Sequence, residues 1–408
     1  MIDLNRLEVL APAGDMERFD SALLFGADAI YLGAKSFGMR ASPSNFTFDE
    51  LKIACDKAHA KGKKVYLTCN TLPRNDEISQ FEGFIKAVQA SGVDAVIAND
   101  IGVFSLIKKY TPDMEIHIST QAGIVNYVTA NEFYNMGAKR VVLAREMSLD
   151  EIAEIRAKTP KDLDIECFVH GAMCVSFSGR CLLSQYLINR DANRGECAQP
   201  CRWNYYLMEE KRPNEFYPIG EDENGSYILN AKDLCMIDHL DKLAKAGVTS
   251  FKIEGRAKSA YYVAVVTNAY RAAVDILKQN PDNYNLPAWI HDEVFKVSHR
   301  KYCTGFYFGH PKDCQYYETS GYVRDYDVVA VVDDCREGSV YCTQRNRFFA
   351  GDELEVLAPN REPVKIKADI IYNELGESVP AANKATMRFS LPIDMQFESG
   401  SVIRKEVK

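Results

Sequence analysis

The sequence predicts a (β/α)8 barrel followed by a small antiparallel β-barrel domain. Three observations lead to this expectation. Short β-branched runs alternate with amphipathic stretches through the first 170 residues, a further such run begins at Ser250, and the pattern changes to short strands after residue 322. Strict alternation of strands and helices is typical of a parallel sheet with helical crossovers, and eight such units close into a barrel.

The predicted strands are residues 7–12, 29–33, 64–70, 94–99, 115–120, 140–145, 164–170 and 250–255. The predicted helices include residues 16–25, 48–61, 78–91, 149–158, 235–246 and 259–278. Gly26, Gly92 and Gly137 each stand between a helix and the next strand, where glycine commonly ends a helix. An open doubly wound sheet is the alternative, but no Gly-x-Gly-x-x-Gly fingerprint supports it.

The barrel is expected to span residues 1–280, with a cysteine-rich insertion at about 172–234. Residues 281–321 are expected to form a linker, because Asn, Pro and irregular aromatic positions replace the periodic pattern there. Residues 322–408 are expected to form the small β-barrel. Its expected role is to dock a substrate or to pack as an accessory lid.

Composition is that of a soluble globular protein, with 408 residues and a net charge of −8. This charge offers no global basic field for nucleic acid, so an RNA partner would need a local basic patch. No apolar run is long enough to span a membrane, and the first residues lack the features of a signal peptide. We therefore expect a cytoplasmic protein without a membrane partner.

Cysteines are concentrated in one segment of the chain. Five of the 12 are Cys174, Cys181, Cys197, Cys201 and Cys235. In a reducing compartment such a cluster favours metal binding over disulfides. The spacings differ from tight C-x2-C knuckles and favour a four-thiolate [4Fe–4S] cluster, with zinc as the alternative. Five thiols compete for four places.

Polar side chains follow the predicted strands at the end where a (β/α)8 barrel holds its active site. These candidates are Asn70, Asn99, Asp100, Ser119, Thr120, Gln121, Arg145, Glu146, His170, Glu254 and Arg256. Lys252 shares one face of the last strand with Glu254 and Arg256. Either Arg145, Lys252 and Arg256 bind an anionic substrate, or these charges form a structural ion-pair network that closes the barrel.

His170 adjoins the cysteine segment, and Glu166 is expected to share its strand face by period two. A Glu/His pair can carry out acid–base chemistry. Alternatively, His170 could hydrogen-bond at the strand end or support a metal ligand.

Residues 166–184 resemble the signature of peptidase family U32, the collagenase-like proteins. The matching motif is Glu166-x-Phe168-x-x-Gly171-Ala172-Met173-Cys174-x4-Gly179-x-Cys181-x-Leu183-Ser184. Leu10-Ala-Pro-Ala-Gly-Asp, Arg190-Asp, Gly195-x-Cys197, Cys201-Arg-Trp203 and Lys252-Ile-Glu-Gly-Arg256 extend the resemblance over the barrel. The size, the Arg-Trp pair and the C-terminal domain most resemble the branch that hydroxylates tRNA.

The resemblance implies two directions of function. The family name comes from proteolysis by some members, whereas others are implicated in oxygen-independent hydroxylation of tRNA wobble uridine, of rRNA cytidine or of a ubiquinone precursor. The hydroxylases are associated with [4Fe–4S] clusters. The ubiquinone-pathway spacing matches Cys174, Cys181, Cys197 and Cys235, although a partner protein in that pathway uses both members of its Cys-x3-Cys pair. The choice between Cys197 and Cys201 therefore stays open.

The leading hypothesis is an iron–sulfur tRNA hydroxylase that forms 5-hydroxyuridine at the wobble position with prephenate as hydroxyl donor. Its expected partners are tRNA and prephenate, with a paralogous family member as a further candidate. Arg145, Lys252, Arg256, Gln121 and Asn99 would bind substrate. The expected catalytic residues are His170, Glu254 and Glu166. The alternatives are a metal-dependent peptidase, a hydroxylase of rRNA or of a quinone precursor, and a non-catalytic scaffold.

Overall fold

The computed structural model describes residues 3–38, 45–174, 176–177, 181–191, 196–200, 220–222, 225–227, 232–309 and 322–407. Within these residues, eight parallel strands close into a barrel and an antiparallel half-barrel follows. The predicted fold class is confirmed.

The barrel strands are β1 (Glu8–Pro12), β2 (Ala29–Gly33), β3 (Lys64–Cys69), β4 (Ala95–Ala98), β5 (Glu115–Ile118), β6 (Arg140–Val142), β7 (Asp164–Ala172) and β11 (Ser250–Ile253). Each pairs in parallel with the next, and β11 pairs with both β1 and β7. This double pairing closes the sheet and excludes the open doubly wound alternative.

The helices are α1 (Met16–Leu24), α2 (Phe48–His59), α3 (Asn75–Ile78), α4 (Phe81–Ala90), α5 (Ile101–Tyr110), α6 (Tyr127–Asn135), α7 (Leu149–Ala157), α8 (Leu183–Ile188), α9 (Leu240–Ala246), α10 (Ala260–Gln279) and α11 (Ala288–Glu293). Side chains such as Asp15, Thr47 and Ser259 accept backbone N–H groups at the helix starts. The helix between residues 78 and 91 begins later than predicted, at Phe81. No helix in the described part of the chain is long and apolar enough to cross a membrane.

Two segments depart from the expectation. Cys235 was expected to begin a helix, but it ends β10 (Asp233–Cys235), which pairs antiparallel with β7, and α9 begins only at Leu240. The described part of the expected linker contains α11 and β12 (Tyr302–Cys303), and β12 pairs with β10. Ile290 and Val294 in this segment are fully buried in the barrel core, so apolar burial fixes a stretch that shows no clear periodicity.

The remaining strands are β8 (Gly220–Asp222), β9 (Gly225–Tyr227), β13 (Tyr326–Arg336), β14 (Ser339–Gln344), β15 (Phe348–Phe349), β16 (Glu353–Leu357), β17 (Val364–Lys367), β18 (Ile371–Asn373), β19 (Ser378–Val379), β20 (Ala381–Ala382), β21 (Arg388–Leu391) and β22 (Val402–Glu406). The C-terminal sheet has the order β17-β16-β22-β13-β14-β21-β18-β19. β22 was not predicted, although it lies between β16 and β13 in this sheet.

A buried ion pair joins the half-barrel to the barrel. Arg404 on β22 donates to both carboxylate oxygens of Glu293 on α11 and to Glu355 at 2.7 Å. The Arg404 and Glu293 side chains are 0% and 1% exposed. Leu357 and Val402 also join the apolar core of the barrel. The half-barrel is therefore fixed on the barrel by both apolar and charged contacts.

Candidate functional site

An ion-pair network lies inside the barrel near the N-terminal ends of its strands, away from the mouth. Arg140 on β6 donates to Glu8 at 2.6 Å and to Glu166 at 3.0 Å. Lys252 on β11 donates to the other Glu166 oxygen at 2.6 Å, and its ammonium lies 4.5 Å from the centre of the Tyr31 ring. Opposite charges at these distances compensate the cost of removing each group from water.

The carboxylates of this network are held in their ionised form. Burial alone would raise the pKa of Glu8, but attraction to Arg140 and hydrogen bonds from Arg140, Tyr66 and Ser250 outweigh it and lower the pKa to about 2. Burial opposes ionisation of Glu166 in the same way, and Lys252 and Arg140 lower its pKa despite that.

These positions bear on two sequence predictions. Glu166 is fully buried and Lys252 is 5% exposed, and each is already neutralised by a partner inside the barrel. The structure therefore argues against Glu166 as a catalytic acid or base and against Lys252 as a substrate ligand. Period two correctly placed Lys252 on the interior face, but strand phase cannot show how deep in the barrel a charge lies.

Arg145 and Glu254 form the centre of the barrel mouth. The Arg145 guanidinium lies 3.8 Å from the centre of the Phe168 ring and donates to the Ala172 carbonyl at 2.9 Å. One of its nitrogens lies 3.7 Å from the Glu254 carboxylate. Both side chains are about 15% exposed, so the pair is fixed by protein contacts yet open to the mouth.

The other predicted substrate ligands lie around the same mouth. Arg256 donates to Thr68 at 3.0 Å and passes so close to Gly33 that a Cβ there would lie 2.4 Å from its guanidinium. Gln121 accepts from Asn70 at 3.0 Å. Within the described residues, the buried Asn99 Oδ1 and Arg145 Nε have no hydrogen-bond partner. Buried polar atoms are rarely left unsatisfied, so these two are available to a ligand.

His170 does not share a face with Glu166, contrary to the sequence prediction. The register of β7 against β11 shifts between Lys252 and Ile253, so that Phe168 pairs with Lys252 but His170 pairs with Ile253. The extra residue is a β-bulge, which reverses the alternation of side chains beyond it. His170 therefore points toward α10, outside the barrel interior.

The surroundings of His170 disfavour proton transfer. Its Nδ1 lies 3.3 Å from the Tyr270 hydroxyl and its Nε2 lies 3.3 Å from the Tyr302 hydroxyl. Burial, with smaller contributions from His299 and Lys258, lowers the pKa of His170 to about 3. The imidazole is neutral at physiological pH and both ring nitrogens are engaged, which suits a positioning role.

Three of the four cysteines predicted as ligands have the same local hydrogen bond. The sulfurs of Cys174, Cys181 and Cys197 each accept a backbone N–H, at 3.4 Å, from the residue two positions ahead. At Cys235, burial raises the thiol pKa and the nearby Ile237 N–H opposes that increase. In the half-barrel, Cys335 also accepts a backbone N–H at 3.4 Å, but from the distant residue Phe397, and Cys342 donates to the carbonyl of Val340.

The cysteines also influence one another. Desolvation raises the pKa of the Cys174 thiol, and nearby Cys181 and Cys197 raise it further, whereas the Ser176 N–H and Arg145 lower it. Burial raises the pKa of Cys235 to about 12. Such thiols stay protonated until a metal displaces the proton.

The donor chemistry of the segment fits an iron–sulfur cluster. Backbone N–H groups directed at sulfur stabilise thiolate and tune clusters. No group of three or more His, Cys, Asp or Glu side chains is arranged to hold a metal ion in the described ranges. Cys201 lies outside those ranges, so the choice between Cys197 and Cys201 stays open.

A cleft of about 630 Å³ opens between the barrel mouth and the half-barrel. The mouth contributes Ala172 and Glu254, the cysteine segment contributes Gln199, and the chain leading into β13 contributes Tyr322 and Arg324. One cavity thus borders all three regions.

Three residues of the site were not singled out from the sequence. The Tyr31 hydroxyl lies 3.4 Å from Glu254, Phe168 stacks on Arg145, and Tyr270 bridges His170 and Cys235. The interior phase of β2 and β7 could have indicated Tyr31 and Phe168. Tyr270 had no signal, since it stands among apolar residues of α10.

Comparisons with known proteins identify relatives of the whole chain. The model of peptidase family U32 matches residues 14–316, and that of the U32 C-terminal domain matches residues 324–404. The chain is 36% identical to the tRNA hydroxylation protein P of Escherichia coli, over 96% of this chain and 94% of that protein. It is 34% identical to the tRNA hydroxylation protein P1 of Bacillus subtilis, over 98% and 94% of the two chains. It is also 32% identical to a collagenase of Porphyromonas gingivalis, over 96% of each chain. Because the family model spans well over half of its length, the chain belongs to peptidase family U32.

Proposed function

We propose that the protein is an RNA hydroxylase that forms 5-hydroxyuridine at the tRNA wobble position, with prephenate as hydroxyl donor and a [4Fe–4S] cluster bound by Cys174, Cys181, Cys197 and Cys235. The observation that carries the proposal is the N–H···S contact shared by Cys174, Cys181 and Cys197, with Cys174 near enough to Arg145 for that guanidinium to lower the pKa of its thiol. Near full-length similarity to two tRNA hydroxylation proteins supports the substrate class.

Arg145 and Arg256 would bind the carboxylates of the donor at the mouth. Arginine suits this role because its planar fork matches a carboxylate, and Arg145 Nε is a buried donor that finds no partner among the described residues. Asn99 and Gln121 would orient the polar groups of the donor. Glu254, which lies 3.7 Å from Arg145 and 3.4 Å from the Tyr31 hydroxyl, would accept or return a proton.

The cluster, when bound, supplies one-electron chemistry next to this mouth. His170 and Tyr270 support the cysteine side of the site. The Tyr270 hydroxyl lies 3.9 Å from the Cys235 sulfur and donates to the Val169 carbonyl at 2.8 Å, which fixes β7 against β10. These residues orient the ligand segment and do not need to titrate.

Peptidase activity is the second candidate, because the collagenase relative matches the whole chain. A cysteine peptidase needs a thiolate beside a basic imidazole. Cys167 is buried and its pKa is raised by burial, while His170 has both nitrogens bonded to tyrosines. This geometry disfavours a peptidase that uses Cys167 and His170, and the metal content of the protein tests a metal-dependent one.

The test is nucleoside analysis in a bacterial strain that lacks wobble-uridine hydroxylation. Expression of this chain is expected to restore 5-hydroxyuridine in tRNA, and to fail in a strain unable to make prephenate. Separate analysis of the rRNA fraction and of quinones distinguishes the other substrates. A soluble protein that restores no hydroxylated nucleoside but cleaves peptides would overturn the proposal.

A further inference from the structure

We infer that the cleft between the barrel and the half-barrel receives unpaired nucleotides of the RNA substrate, so that the half-barrel forms one wall of the active site. This inference rests on the proposed function and assigns the RNA-binding surface, which the candidate catalytic residues alone do not define.

The cleft leads to the reacting region. Glu254 and Ala172 line it, and both are in contact with Arg145: the Ala172 carbonyl accepts from Arg145 at 2.9 Å and the Glu254 carboxylate lies 3.7 Å away. Gln199, whose N–H donates to Cys197, lines it as well. A base that enters the cleft therefore arrives between the carboxylate-binding mouth and the cysteine segment.

The wall of the cleft combines cations with aromatic rings. Lys258 donates to the Ser298 carbonyl at 3.3 Å, and its ammonium lies 4.5 Å from the centre of the Tyr322 ring. The Arg324 side chain is 63% exposed and pairs with Asp327. A cationic groove with aromatic platforms is how proteins bind single-stranded nucleic acid, with cations on phosphates and rings under bases.

Tyr322 is held in place while its ring is accessible. His299 and Val323 exchange backbone hydrogen bonds at 3.2 and 2.8 Å, which fixes the adjoining backbone. Arg300 donates to the Tyr322 hydroxyl at 2.9 Å, yet Tyr322 is 45% exposed. A ring already ordered by the protein loses little entropy when a base stacks on it. Lys258 and Arg300 lie 4.5 and 4.8 Å from the ring centre, so a base would stack on this ring only where Lys258 moves from it to a phosphate.

Size and charge specify the ligand further. A cavity of about 630 Å³ has the size of a ligand pocket and admits unpaired nucleotides but not a duplex. The chain carries a net charge of −8, so general attraction to RNA is weak and local groups must supply it.

The experiment measures binding of an anticodon stem-loop RNA, with uridine at the wobble position, to the full-length protein by fluorescence anisotropy at several salt concentrations. A fully paired hairpin of equal length is the reference RNA. The variants are Tyr322→Ala, Tyr322→Phe, Lys258→Ala and Lys258→Arg. Tyr341→Ala and Arg336→Ala are matched controls, because Arg336 stacks on Tyr341 at 4.5 Å outside the cleft lining.

Tyr322→Ala is expected to weaken binding of the stem-loop about tenfold without changing its salt dependence, and Tyr322→Phe to restore it. The slope of log K against log salt is negative, and Lys258→Ala is expected to make it less steep by about 0.7. Lys258→Arg is expected to restore the wild-type slope. Neither control variant changes binding. Lys258→Ala keeps the backbone hydrogen bonds between His299 and Val323. It therefore tests the cleft even if Tyr322→Ala is unstable.

The inference is overturned if the stem-loop binds both alanine variants as tightly as it binds the wild-type protein. It is also overturned if the fully paired hairpin binds the wild-type protein as tightly as the stem-loop does. In that case, restored 5-hydroxyuridine in cells expressing the variants would leave the proposed function standing. If the wild-type protein binds no RNA and restores no hydroxylated nucleoside, both the inference and the proposed function fail.

Discussion

Arg145 is the residue on which the proposed chemistry of the barrel mouth depends. Stacking on Phe168 at 3.8 Å and a hydrogen bond to the Ala172 carbonyl fix its plane, while Nε stays without a partner in the described structure. A fixed planar fork with an available donor is suited to a carboxylate, and a lysine ammonium cannot reproduce either the stacking or the fork.

Substitution Arg145→Lys is expected to lower 5-hydroxyuridine formation about tenfold or more, because the bidentate and stacking contacts are lost while the charge is kept. Mass spectrometry of tRNA nucleosides from the complemented strain measures the loss, and the melting temperature of the protein checks that the fold is intact. Arg388→Lys, at an exposed position of β21, is the matched control. Unchanged product with Arg145→Lys would remove Arg145 from the donor site.

The sequence predicts which residues lie near the mouth better than it predicts what they do there. Arg145, Glu254, Arg256, Asn99 and Gln121 all lie at the strand ends as expected. The roles of the buried charges and of His170 could not be predicted, because depth and partners depend on contacts between residues far apart in the chain.

Among the elements, β7 departs most from ideal geometry. Its bulge after Phe168 turns His170 outward, and Gly171 follows with a φ of 106°. A Cβ at Gly171 would lie 2.4 Å from the Glu254 carbonyl oxygen. Glycine is therefore required both by its backbone conformation and by the approach of β11. Strand positions were predictable from hydrophobic periodicity, but a one-residue bulge leaves no such signal.

Substitution Gly171→Ala is expected to destabilise the protein by about 2 kcal/mol and to reduce hydroxylation, because it displaces Glu254. Gly83→Ala is the control: this glycine lies in α4 with open space around its Cβ position, so alanine should stabilise by about 0.5 kcal/mol. Urea unfolding measures both changes. Equal stability of the two variants would contradict the close contact at Gly171.

The interior network makes the barrel sensitive to acid. The pKa of Glu8 is lowered from 4.5 to about 2, so its contribution to stability is complete above pH 4.5 and is lost as the pH falls toward 2. This contribution is on the order of 3 kcal/mol. Glu8→Gln should lower the free energy of unfolding at neutral pH. The free energy of unfolding of this variant should also fall less than that of the wild type between pH 4.5 and pH 2.

Urea unfolding at a series of pH values tests this expectation. Glu353→Gln, at an exposed position of β16, should leave the pH profile unchanged. A Glu8→Gln protein with the same acid dependence as the wild type would show that the network does not couple folding to this carboxyl group.

At the scale of the whole molecule, the half-barrel is fixed on the barrel by contacts across their boundary. The Arg404–Glu293 pair and the cleft both span their boundary. The sequence predicted the two domains and their order, but it left residues 281–321 as a linker. α11 within that segment carries Glu293, so the expected linker provides one partner of the buried ion pair between the domains.

Substitution Arg404→Ala is expected to cost about 3 kcal/mol, because the buried Glu293 would lose both of its hydrogen bonds from Arg404 and keep only Lys296, at 3.8 Å. The half-barrel should then separate from the barrel and hydroxylation should fall with it. Limited proteolysis and differential scanning calorimetry detect the change, with Arg388→Ala as an exposed control. A single unshifted unfolding transition would contradict the role given to this pair.

The measurement that tests the central claim most directly is the visible spectrum and metal content of the protein purified without oxygen. We expect a broad visible absorption and about four irons per chain. Substitution to serine of Cys174, Cys181 or Cys235 should remove both, and Cys335→Ser in the half-barrel should leave them unchanged. Comparing Cys197→Ser with Cys201→Ser decides between these two thiols. A colourless wild-type protein that contains zinc and no iron would contradict the account and favour the peptidase.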